Sequence, residues 1–255
     1  MFLEERQEKI LELLATNGKV LVKELAERFG VTEDSIRKDL GALELDGKLK
    51  RTYGGAVAIR EKLHVAEANK RRTIDVEAKR KIAAAAFKLI KPGDMIYLDI
   101  STINIALAEL IVKADNDFKV VTNMIDVLTS LVRNPKVDVV FIGGKINRSR
   151  DGFCDGLATE MITRLKPDLA FIGVVGVDVK DNSVSTYQIE DGINKAKVIG
   201  ASKKNYIIAE ARKFSTDGNY TFAHVDEFDG VITDAKPKAD QLRALSDLNV
   251  EIILP

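Results

Sequence analysis

Along the first sixty residues the large apolar side chains fall at helical spacing in three short blocks. Ile10, Leu11, Leu13 and Leu14 recur across residues 3–15, and Asn17-Gly18 closes that run. Leu25, Ala26 and Phe29 share one face of Val22–Phe29, a block ended by Gly30. Ile36, Leu40 and Leu43 line the inner face of Glu33–Leu45, with the Thr32 hydroxyl placed to cap it and Asp46-Gly47 to end it. The following KLKRTYGGAVAI alternates well enough for a short hairpin about Gly54-Gly55. Three short helices followed by a glycine hairpin predict a winged helix-turn-helix, in which Ala26 gives the close helix contact and Gly30 the bend.

Beyond this block the pattern changes twice. Residues 60–78 are charged and poor in large apolar side chains, leading into a helix over residues 75–90. After Lys91-Pro92-Gly93-Asp94, short apolar runs (MIYLDI, KVVTNM, VDVVFIGG, LAFIGVVGVD, NYIIAEA, GVITDA, VEIILP) alternate with amphipathic segments such as 103–114 and 156–165. Strand alternating with helix predicts an α/β fold with a largely parallel sheet covered on both faces. The expected division is a winged helix-turn-helix domain at 1–58, a connector at 59–77 and a larger domain at 78–255.

Composition narrows the function. With 45% hydrophobic residues in 255, the chain can bury a proper core. Lys plus Arg and Asp plus Glu both number 39, so any basic surface must be local. Residues 1–60 hold 11 basic and 11 acidic side chains, whereas residues 35–62 hold 7 against 4. The single Cys154 excludes an intramolecular disulfide framework and fits a reducing cytosol. His64 and His224 lie far apart with no cysteine partners, so neither a metal nor a cofactor is expected. The opening MFLEERQEKI is acidic and helix-patterned, unlike a secretory signal. No apolar run approaches the ~18 residues of a membrane span. A soluble, cytoplasmic chain without a membrane partner is the expectation.

The local basic excess falls on the third helix and the hairpin. Opposite Ile36, Leu40 and Leu43 lie Thr32, Glu33, Ser35, Arg37 and Lys38, the polar face that a recognition helix turns to the major groove of double-stranded DNA. Ser35, Arg37 and Lys38 are the candidates for base and phosphate contact, with Thr32 as cap and phosphate neighbour. Lys50, Arg51, Gly54 and Gly55 form the candidate wing contact. The plain alternative is a three-helix interaction module with a solvated charged face.

These residues carry a family resemblance. Ser35-Ile36-Arg37-Lys38-Asp39-Leu40, then Leu45, Gly47, Leu49, Arg51 and Gly54-Gly55-Ala56, resemble the amino-terminal domain of the DeoR family of bacterial sugar-catabolism repressors. Lys38 stands where Arg is usual and Tyr53 where the wing often has His. The resemblance extends over essentially the whole chain. It implies a carboxy-terminal domain similar to ribose-5-phosphate isomerase and the CoA-transferases, which binds a small phosphorylated metabolite and so changes operator affinity.

The corresponding landmarks sit at strand ends. Asp99, Ser101 and Thr102 in YLDISTINIA match the family's aspartate and hydroxyl run at a helix N-terminus, although Ile100, Ile103 and Asn104 interrupt it. A strand-to-helix turn merely capped by Ser101 is the plain alternative. Thr122 and Asn123 match the family's TN, and Gly143-Gly144 opens a loop with Lys145, Arg148 and Arg150. Gly173 and Gly176 match its glycines. Lys197 falls where the family commonly has a lysine, Lys213 lies in a degraded D-x-S-K-F with Glu210 and Arg212 for the Asp and Ser, and Glu190 is a candidate for a sugar hydroxyl.

Three functions follow for the larger domain: a phosphosugar sensor, a sensor whose site is retuned or decayed, and an isomerase-type enzyme using Asp99, Glu190 and Lys213. An attached DNA reader favours a sensor, because a sensor gains nothing by consuming its signal. A single winged helix reads few bases, so a homo-oligomer, dimer or tetramer, is expected.

Overall fold

The computed structural model describes residues 3–17, 19–58, 71–114 and 116–255. The chain divides into two compact units, Met1–Glu67 and Ala68–Pro255.

In the first unit, α1 (Leu3–Asn17), α2 (Val22–Phe29) and α3 (Glu33–Leu45) pack their apolar faces around Ile10, Leu14, Leu25, Ile36, Leu40 and Leu43. Gly30 ends α2 in the left-handed conformation, φ +64°, which a residue with a Cβ adopts only at a cost. Thr32 caps α3 by accepting the Ser35 N–H at 3.2 Å. Strands β2 (Leu49–Thr52) and β3 (Gly55–Ala58) form the expected hairpin. A third strand, β1 (Lys19–Leu21), completes the sheet in the order β1-β3-β2. Its three residues carry no periodic signal and are strand because Val20 pairs opposite Ala56. Arg60, Glu61 and Lys62, part of the basic excess counted above, lie outside the described residues.

The second unit is built on a seven-stranded sheet in which every neighbouring pair is parallel. Its strands are β4 (Met95–Leu98), β5 (Phe118–Thr122), β6 (Val137–Phe141), β7 (Leu169–Gly173), β10 (Lys204–Ile208), β12 (Gly230–Ile232) and β13 (Glu251–Ile253), in the order β13-β12-β10-β7-β4-β5-β6. Alternate residues feed two cores. Ile96, Leu98, Val120, Phe171 and Ile208 face α4 (Val76–Phe87), α5 (Thr102–Lys113) and α6 (Ile125–Leu131). Tyr97, Val121, Ala170, Ile172 and Ile207 face α7 (Gly156–Thr163), α8 (Ile189–Ala201) and α9 (Ala239–Asp247). Cover on both faces explains why the strands read as unbroken apolar runs.

One such run is divided. LAFIGVVGVD supplies β7 and then β8 (Gly176–Asp178), which joins β9 (Ser183–Thr186) and β11 (Tyr220–Ala223) in a small antiparallel sheet, order β11-β9-β8. The helix expected over 75–90 stops at Phe87, ahead of Pro92 and Gly93. Strand order runs outward from β4 in both directions, so the crevice between the ends of β4 and β7 is the switch point where parallel α/β sheets place ligands.

Candidate functional site

The exposed polar face of α3 is held in place by contacts within the first unit. Asp39 is buried and receives two hydrogen bonds from Arg6 of α1, Nε at 2.6 Å and an Nη at 3.2 Å. This fork fixes how α3 sits on α1, leaving Arg37 and Lys38 exposed. Arg37 donates to Glu33 (2.6 Å) and Asp34 (2.7 Å) on its own helix, which holds its fork extended along the exposed face. Ser35 shares a 2.9 Å hydroxyl contact with Thr32. In the wing, Lys50 and Arg51 are exposed, and Arg51 N–H donates to the Glu44 carboxylate at 2.7 Å. Gly54 holds φ +78°, and a Cβ on Gly55 would lie 2.0 Å from the Val20 carbonyl oxygen. Tyr53, fully exposed beside them, stands at the wing tip.

At the switch point of the larger unit, Asp99 follows β4 and Gly173 ends β7. The Gly173 N–H donates to both Asp99 carboxylate oxygens at 3.0 Å, Asn104 adds a 2.8 Å bond, and Lys195 of α8 closes an ion pair on the same group. Lys195 also lies 3.4 Å from Asp191. Burial opposes its charge, but Asp191 and Asp99 outweigh that and hold the ammonium above its ordinary range. The α8 lysine that reaches the strand ends is therefore Lys195; Lys197, two residues and about 200° further round the helix, is exposed.

The other expected ligand groups are distributed unevenly. Ser101 caps α5 by accepting the Ile103 N–H at 3.3 Å. Thr102 borders a cavity of about 220 Å³ together with Arg72, Lys79 and Arg80. Thr122 is spent within the fold, donating to the Leu98 carbonyl (2.7 Å) and accepting the Met124 N–H (3.1 Å). Asn123 donates to the Phe153 carbonyl at 2.9 Å, while its buried Oδ1 has no hydrogen-bond partner. Gly143 is open, but a Cβ on Gly144 would lie 2.1 Å from an Asp155 carboxylate oxygen. Gly176 stands in the small sheet, where a Cβ would meet the Thr216 carbonyl at 2.1 Å, so its smallness serves packing. Exposed Glu190 borders a different cavity, of about 340 Å³, with Cys154, Asp155 and Thr159. Thr102 and Glu190 thus line separate spaces.

Lys213 lies in a 3₁₀ turn, Ala211–Ser215, after β10. Burial pushes its ammonium down to about 8; Glu210 opposes this, while Arg212, Arg71 and Lys79 add to it. Lys79 on α4 is buried and also lowered, first by burial. Its Nζ donates to the carbonyls of Arg71 and of Ile74 (2.6 Å). Glu210 accepts from Arg212 at 3.1 Å, and Arg212 approaches Asp75 at 3.4 Å. Lys213, Lys79, Arg71 and Arg212 therefore gather near buried Glu210, with Asp75 beside Arg212 and Asp151 beside Arg71. Sequence reasoning missed Lys79, Arg71 and Lys195, because a lysine in a charged helix such as VEAKRK carries no mark of which face is buried.

Comparison with known proteins matches the two units separately. Residues 6–62 fit the DeoR-like helix-turn-helix domain, and residues 74–235 fit the DeoR C terminal sensor domain. The chain belongs to the DeoR family. This makes it a DNA-binding transcriptional regulator with a sensor domain. It is 31% identical to the HTH-type transcriptional regulator YulB of Bacillus subtilis, over 99% of this chain and 96% of that one. It is 28% identical to the glycerol-3-phosphate regulon repressor of Escherichia coli, over 98% of both chains. Identity to the lactose phosphotransferase system repressor of Lactococcus lactis is 27%, over 94% of both. Among solved structures, ribose 5-phosphate isomerase A of Methanocaldococcus jannaschii is 15% identical with a TM-score of 0.40, covering 55% of this chain and 54% of that one, a likeness too slight to bear on function.

Proposed function

We propose that this DeoR-family regulator represses genes of carbohydrate catabolism, and that a phosphorylated sugar or related metabolite binds at its strand ends and changes its operator affinity. Operator contact falls to Thr32, Ser35, Arg37 and Lys38 on α3 and to Lys50, Arg51, Gly54 and Gly55 in the wing. The anionic group of the effector sits against Lys213, Lys79, Arg71 and Arg212. The single observation that carries this reading is the gathering of these four cations at the end of β10 around Glu210, with Asp75 and Asp151 offsetting part of their charge, an arrangement that favours an added anion. Two relatives named for glycerol 3-phosphate and for a lactose phosphotransferase system support the chemical class.

The chain acts on this reading as a sensor and not as an enzyme. Asp99, the carboxylate best placed for general-base work, is committed to Gly173, Asn104 and Lys195. A dimer or tetramer on repeated half-sites fits the short reach of one winged helix.

A retuned site remains the second reading, and Ile100 favours it: its side chain lies 2.5 Å from where a Cβ on Gly152 would stand, filling room beside the strand ends. Ile103, by contrast, is buried in the α5 core and takes no ligand space. Thermal-shift measurement against pentose and hexose phosphates separates the readings, since a ligand at 100 Kd stabilises by about 2.7 kcal/mol. No shift with any of them, beside intact operator binding, overturns the phosphosugar reading.

A further inference from the structure

The first described residues of the connector, 71–75, lie across the strand ends and are held there mainly by ion pairs and hydrogen bonds. Arg71 reaches Asp151, in the loop after β6, at 3.8 Å. Arg72 pairs with Asp126 in the first turn of α6, after β5. Asp75 faces Arg212, after β10, at 3.4 Å. Lys79 holds the carbonyls of Arg71 and Ile74 from below. The segment buries no large apolar side chain of its own: Ile74 is 41% exposed. Asp75 takes the left-handed conformation, φ +50°, to enter α4, a strained geometry for a non-glycine residue.

We infer that residues 71–75 form an electrostatic strap, clasped to three strand-end loops, which an anion bound among the same cations releases, passing the signal into the rest of the connector. The inference rests on the anion-site reading above and concerns its regulation. Arg212 is the shared element: Glu210 and Asp75 both hold it, and an anion beside Lys213 and Lys79 competes for it. Withdrawing Arg212 from Asp75 leaves the strained end of the strap with one tie fewer. Because apolar burial contributes little here, the strap yields to a change in charge that would not disturb a packed helix. The chain that leads from the strap is the rest of the connector to the DNA-reading unit, so its freedom is what the effector would change.

The test is hydrogen–deuterium exchange of the full chain, followed at the backbone amides of residues 71–78, with calorimetry against inorganic phosphate and glucose 6-phosphate. Asp126→Asn removes the partner of Arg72 without touching the anion cluster. It should raise exchange in the strap several-fold with no ligand present and, by reciprocity, leave anion affinity equal or tighter, never weaker. Exchanging the charges, Arg72→Asp with Asp126→Arg, should restore the wild-type rate. In the wild-type chain, the anion should raise strap exchange by a similar factor. Unchanged exchange in Asp126→Asn overturns the strap, and anion binding without faster exchange overturns its release. A flat calorimetric trace with both probes overturns the anion-site reading and the release with it, and is recognised because Asp126→Asn still shows its effect.

Discussion

Asp99 and Gly173 are 74 positions apart, yet the Gly173 N–H donates to both carboxylate oxygens of Asp99 at an equal 3.0 Å. This contact ties the end of β4 to the end of β7 at the switch point. Only glycine fits the second position, because a Cβ there would lie 2.5 Å from the Ser101 Cβ.

Asp99→Asn should therefore act on stability. Removing one member of a buried, hydrogen-bonded charge pair costs about 3–5 kcal/mol, and Asp191, still near Lys195, keeps the loss toward the lower end. Chemical denaturation of the full chain reads it. Combined with Lys195→Met, the loss should be smaller than the sum of the single losses; strict additivity would show that the two residues are not coupled.

Arg6→Ala should lower both stability and operator binding, since the Arg6–Asp39 fork sets the recognition helix on α1. Hydrogen bonds to a charged group contribute about 1.5–3 kcal/mol, and the loss should appear in urea melts. A variant of full stability and full affinity would contradict this role.

Arg37 and Lys38 separate stability from recognition. The Arg37 ion pairs are exposed and local, so Arg37→Ala and Lys38→Ala should leave the melting temperature unchanged. Fluorescence anisotropy with operator DNA should register weaker binding. For a residue on a phosphate, the slope of log K against log salt falls by about one. An unchanged slope in both variants would remove them from the backbone contacts.

On the proposed anion-site reading, the lowered ammonium of Lys213 should make anion binding pH-dependent. At pH 7 the side chain is charged; above about 8 it loses its proton and its attraction for an anion. Affinity for glucose 6-phosphate should then fall by up to about tenfold per pH unit. Stability without ligand moves the other way. The unfolded chain holds this proton up to its ordinary, higher value, so the penalty of burying the charge lifts as pH rises from 8. Lys213→Met should flatten both profiles, and calorimetry across pH 7–9 checks the first.

Much of this was legible along the chain, and the unread parts have a common cause. Apolar period located α2, α3 and the parallel strands, because those elements bury one face or both. β1, β9 and β11 were unreadable: KVL, SVST and YTFA are strands through their pairing partners rather than their own pattern. The site was legible by type more than by position. Lys213 and Asp99 stand at strand ends as expected, but Asp99 and Thr122 turned out to serve the scaffold. Lys195, two residues from Lys197, and Lys79, one of three basic residues in a row of helix, could be recognised only once the helix faces were known.

The 74-residue span between Asp99 and Gly173 has a temporal meaning. While the chain is being made, the DNA-reading unit emerges first and holds its own core. The strand ends have no floor until β7 docks on β4, and no cation cluster until residue 213 has followed. Such distant pairings are slow to form, because the loop must close before the contact repays it. The winged-helix unit can therefore complete its core while the strand ends of the larger unit are still unformed.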